Sequence, residues 1–177
     1  MGRHGRSFGR ALHPTLDVVV YTLSSPLPAT ITPCKVLPAN YASYLSYLTV
    51  GRPPVMILDK DEHALIQEFQ GLQSLDGQTH FVKPPDFRQN RVAFYEPLID
   101  DDSGNPAFLI INGELVLLSC AHDNTSGPFV TNLTNPTTLN DMIAAADADA
   151  AVQHPEFPVN PVQVQTIDLS GFSTFTP

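Results

Sequence analysis

The chain has 177 residues, long enough for one well-buried domain and short for two. Hydrophobic residues make up 42% and charged residues 15%, a globular composition and not a disordered one. The net charge is −9, and residues 92–177 hold eleven acidic residues with no Lys or Arg, so nucleic acid and anionic lipid are excluded as partners. No apolar run approaches the roughly 20 residues of a membrane span, so no membrane association is expected. Seventeen prolines, roughly twice average usage, favour short strands and tight turns over long helices.

Residues 1–12 read as a disordered, basic lead-in. Asp17–Leu23 is β-branched and apolar and stops at Ser24-Ser25-Pro26-Leu27-Pro28, which reads as one buried strand. Between Pro28 and Pro54 the chain is irregular, and the period-three spacing of Tyr41, Tyr44 and Tyr47 reads as a short helix or an aromatic packing face, the packing face being preferred. Val55–Leu58, Ala64–Phe69 and Thr79–Lys83 are three further strands, separated by turns at Asp59-Lys60-Asp61 and Asp76-Gly77. Ala107–Ile111, the Asn112-Gly113 turn and Glu114–Ser119 make the clearest hairpin, because type I′ turns need positive φ at both central residues. Phe129–Val130 is another strand. Thr138–Ala148 has apolar residues at 139, 142, 143 and 146, which predicts a helix behind a Thr cap. The Pro-rich tail carries one more strand at Val162–Ile167. These elements suggest an antiparallel barrel or sandwich closed by one helix.

Cys34 and Cys120 are 86 residues apart, fit no zinc site, and are read as two buried thiols in preference to one bridge. No metal and no cofactor are expected. The densest polar cluster is Asp100-Asp101-Asp102-Ser103-Gly104-Asn105-Pro106, just before the hairpin. A solvated acidic loop is the plain reading. A calcium loop fails, because positions six and twelve from Asp100 hold Asn105 and Ile111 where Gly and Glu are required. An aspartic-peptidase site needs a second Asp-Ser-Gly or a symmetric dimer. The remaining reading is a serine nucleophile, with Ser103 presented on a tight loop beside backbone N–H groups.

Four blocks in register favour the last reading. Asp102-Ser103-Gly104-Asn105-Pro106 with its hairpin resembles the nucleophile loop of the chymotrypsin/trypsin-like serine peptidases. His13–Leu23, running into Ser25-Pro26-Leu27-Pro28, resembles that family's segment around the triad aspartate. Ser126–Val130 is similar to the glycine-containing strand opposite the specificity pocket, and Thr138–Ala148 to the terminal helix. The interval of 86 residues from Asp17 to Ser103 fits as well. The resemblance implies an all-β fold: an antiparallel six-stranded Greek-key barrel over residues 29–150 with one C-terminal helix. Residues 13–28 would be a remnant strand of a first barrel, and 151–177 a Pro-rich tail. It implies Ser103 as nucleophile, Asp17 as the orienting carboxylate, and the backbone N–H groups of Asp101 and Ser103 as oxyanion hole. Pro97 would sit at the base of the specificity pocket, and Ser119, Cys120 and Ala121 would line the edge where a peptide or protein substrate adds as a strand.

Departures from the family qualify the activity. The base must precede Asp17 by several dozen residues, and only sixteen stand there. His4 and His13 lack the setting of a triad histidine. His122 is a rim residue, and His63, His80 and His154 are structural or exposed. Asp101 replaces a glycine and would oppose charge on the oxyanion. The expectation is therefore a serine endopeptidase fragment, with hydrolysis belonging to a complete, exported (extracellular or periplasmic) protein and this chain inactive alone. It would self-associate through the face left by the missing barrel. The alternative is a non-catalytic module that binds extended peptides. The sequons at Asn124 and Asn132 are attributed to chance.

Overall fold

The computed structural model describes residues 7–15, 18–45, 54–58, 64–68, 71–75, 78–82, 105–120, 129–131 and 135–173. Ten strands and one α-helix follow in chain order. The strands are β1 (Ser7–Leu12), β2 (Val19–Leu23), β3 (Lys35–Val36), β4 (Pro54–Leu58), β5 (Ala64–Glu68), β6 (Gly71–Leu75), β7 (Gln78–Val82), β8 (Pro106–Ile111), β9 (Glu114–Cys120) and β10 (Phe129–Thr131). The helix is α1 (Pro136–Gln153).

The strands form three sheets: β1-β2, β10-β7-β6 and β3-β9-β8-β4-β5. This overturns the expected six-stranded antiparallel Greek-key barrel. A barrel closes when its end strands pair with each other. Here β3 is two residues long and runs parallel to β9, so that end of the largest sheet offers no full-length partner for β5. What borders β3 instead is the tail, through a parallel bridge between Val36 and Thr166.

The Asn-Gly hairpin forms as the turn chemistry dictates, with Asn112 at φ 52° and Gly113 at φ 78°. It places Leu109 and Ile111 of β8 beside Val116 and Leu118 of β9, all completely buried. These pack with Leu37, Leu45, Val55, Ile167 and Leu169 as one core, and Tyr41 and Tyr44 lean on it from a single 3-10 turn. The aromatic packing role of those tyrosines is thus observed, while Tyr47 lies outside the described residues. Lys35 and Glu114 pair at 2.5 Å on the surface over this sheet, a contact of little energetic weight where both side chains meet water.

A second unit forms where β1 and β2 pack on α1. Residues 7–12, expected to be disordered, are β1. Pairing with β2 and burial against α1 order a segment whose own composition carries no strand signal. The helix starts two residues earlier than the sequence suggests, because Asn135 and not a threonine is its cap. The Asn135 Oδ1 accepts the N–H groups of Thr137 at 3.0 Å and Thr138 at 3.2 Å, and Pro136 occupies the first turn, where its missing N–H costs nothing.

Gly9 explains how closely strand and helix approach. A Cβ there would meet the Ala146 carbonyl oxygen and lie 2.6 Å from Ala150 N. The helix answers with small residues, burying Ala146 and Ala150. The tail joins the two units. Val164 N–H donates to Asn140 Oδ1 on α1 at 2.9 Å, Val36 N–H to Gln165 O at 2.9 Å, and Ile167 N–H to Val36 O at 3.0 Å. The strand expected at Val162–Ile167 is this single bridge. Cys34, expected to be buried, is exposed and has no disulfide partner.

Candidate functional site

The residues expected to carry catalysis fall outside the described part of the molecule. Asp17, Pro97, Asp101, Ser103 and Ala121 lie outside the described residues. Ser119 and Cys120 stand at the end of β9, where they pair with Ala107 and Pro106 of β8. β9 lies between β3 and β8 in the sheet order, with β3 reaching Val116 and Leu117. Among the described residues no group of His, Cys, Asp and Glu side chains is placed to hold a metal ion. No helix among them is long and apolar enough to cross a membrane.

A groove does form elsewhere, between the β1-β2 hairpin, α1 and the segment after it. It encloses about 460 Å³, within the range of small-ligand and peptide-side-chain sites. One wall is an unbroken run from Val20 to Leu27, the opposite wall runs from Phe157 to Val162, and α1 supplies Ile143, Asp147 and Ala150 between them. Successive residues of a strand point to opposite faces. A wall that uses Val20, Tyr21, Thr22 and Leu23 in succession therefore follows the edge of β2 and not one of its faces. Among the described residues no strand pairs with that edge, since β2 has β1 as its sole sheet neighbour.

Several contacts fix the groove's shape. The β1-β2 register shifts between Ser7 and Gly9, which pair with Leu23 and Thr22, so Phe8 is the extra residue of a bulge. Turned out of the ladder, Phe8 stacks on His154 at 4.1 Å between ring centroids and 26° between planes, and meets Phe157 at 4.8 Å. His154 is held in turn as the C-cap of α1, donating its N–H to Ala150 O at 2.8 Å, and its Nδ1 lies 3.4 Å from Glu156 Oε1. At the centre, Thr22 Oγ1 donates to Asp147 Oδ1 at 2.7 Å. Below the groove, Asp149 accepts the Arg10 amide N–H at 3.0 Å and the Gln153 side-chain amide at 2.6 Å. These donors, the Arg10 amide foremost, hold the Asp149 carboxyl below the usual carboxylate range.

The groove opens to solvent through large apolar side chains. Tyr21, Leu23, Leu27, Phe157 and Val162 are each at least 41% exposed. Sequence reasoning missed Phe8, Asp147, His154 and Phe157. Phe8 falls in the segment expected to be disordered, and His154 reads from the sequence as structural or exposed. The available signal was the small-residue stripe of Ala146 and Ala150, which requires a close-packed partner.

No protein-family model, curated protein or solved structure matches the chain. The resemblance to chymotrypsin-like peptidases therefore rests on the quoted motifs alone.

Proposed function

We propose that this protein is a non-catalytic peptide-binding module, which takes an extended segment of a partner protein as an added strand along the outer edge of β2. The observation that carries the reading is the coincidence of a strand edge that no described strand pairs with and an apolar groove running beside it. Main-chain hydrogen bonds to the edge supply affinity in such recognition, and pockets for alternate side chains supply selectivity. Among the described residues no strand takes up the backbone N–H and C=O groups of this edge, and the groove has Leu23, Leu27, Phe157 and Val162 to receive side chains. A two-stranded ribbon is marginal in isolation. Its anchorage on α1 through Gly9 and the Thr22–Asp147 bond makes it a fixed template.

The test is a selection of phage-displayed random decapeptides on the full chain, followed by fluorescence anisotropy with the selected peptides. Leu23→Asp places a charge on an exposed groove residue without touching the core. Burying one leucine is worth about 1.5–3 kcal/mol, so the variant is expected to bind at least about tenfold more weakly. Failure to select any peptide, or equal binding by the variant, contradicts the proposal.

A further inference from the structure

We infer that the peptide accepted by the groove carries a Lys or Arg among its apolar residues, and that Asp147 meets the cation. The inference rests on the strand-addition reading above and adds the chemistry of the ligand. Of the described residues lining the groove, Asp147 is the one carboxylate, and none is Lys or Arg. Its Oδ1 is occupied by the Thr22 hydroxyl, while Oδ2 has no donor among the described residues. The Thr22 bond orients the carboxylate, and a half-buried carboxylate with one oxygen unmatched gains most from a charged donor.

The surroundings select for the same chemistry. Glu156 stands beside His154 at the end of the groove, and the chain as a whole carries −9. An acidic peptide meets repulsion both at a distance and at the floor. A basic residue lays its aliphatic stem along the apolar walls while its head reaches Asp147.

Three fluorescent decapeptides with one alternating Val/Leu frame and a central Lys, Gln or Glu discriminate the possibilities on the full chain by anisotropy. The expected order is Lys, then Gln, then Glu. Lys should bind about tenfold more tightly than Gln, as for a charge-assisted bond replacing a neutral one, and the gap should narrow with salt. In Asp147→Asn, which keeps an acceptor for Thr22, the Lys and Gln peptides should bind alike. Equal binding of all three peptides to the unaltered chain overturns this inference and leaves the groove reading standing. A Lys preference that persists in Asp147→Asn overturns the role of Asp147. Binding of none overturns both.

Discussion

The Thr22 hydroxyl donates to Asp147 Oδ1 at 2.7 Å, joining the middle of β2 to the fourth turn of α1 across 125 residues of chain. This bond ties β2, whose outer edge has no strand partner among the described residues, to the helix beneath it. Thr22→Val keeps the shape and removes the donor. The variant is expected to lose about 1 kcal/mol of stability, typical of one intramolecular hydrogen bond, in chemical denaturation. An unchanged denaturation midpoint would show that the bond does not hold the strand on the helix.

Gly9 is the position where strand and helix leave no room. A Cβ there lies 2.8 Å from Ala150 Cβ and abuts helix backbone, which cannot swing aside as a side-chain tip does. Gly9→Ala is therefore expected to cost about 2–3 kcal/mol, the upper part of the overpacking range. Gly171→Ala is the control, because nothing lies within 4 Å of its added Cβ, and its cost should stay within about 0.5 kcal/mol. Equal melting temperatures for the two variants would contradict the close packing of β1 on α1.

What could be read from the sequence divides along the same line as local and long-range causes. The Asn112-Gly113 hairpin was legible because two adjacent residues with positive φ specify it. The helix was legible from its spacing, though its true cap, Asn135, lies three residues ahead of the Thr assigned. Strands β4, β5, β7 and β10 fall within a residue or so of their expected positions. β1 was not legible, since Ser7-Phe8-Gly9-Arg10 shows no alternation and is ordered by β2 and α1 from outside. Nor was the parallel pairing of Lys35 and Val36 with β9, which depends on chain roughly 80 residues away. The groove inherits that difficulty: its walls come from residues 8, 20–27, 143–150 and 154–162, united by packing and by no motif.

Acidification should loosen the hairpin from the helix. The carboxyl of Asp149 is held below its ordinary range by the Arg10 amide and the Gln153 side chain. The folded state therefore binds fewer protons than the unfolded chain, and the stabilisation is complete above the unfolded value of about 4. It is lost as pH falls through the lower, folded value. Asp168, lowered by the Ser170 N–H, adds to the same slope. Asp149→Asn should flatten the stability profile below about pH 4 relative to the unaltered chain, read by urea denaturation at each pH. Parallel profiles would remove Asp149 from the account.

Catalysis by Ser103 makes a separate prediction. The binding-module reading assigns Ser103 no activating base, and an unactivated serine is a poor nucleophile. A fluorophosphonate probe should leave Ser103 unlabelled. Labelling that disappears in Ser103→Ala would favour acyl-enzyme chemistry over a binding module.

The most direct measurement is amide hydrogen exchange of the full chain with and without a selected peptide at saturating concentration. Strand addition predicts that every second amide of Val19–Leu23, those turned away from β1, slows on binding, while the amides already paired with β1 change little. Tight binding with unaltered exchange throughout β2, or slowing confined to β8 and β9, would contradict the assignment of this edge as the binding site.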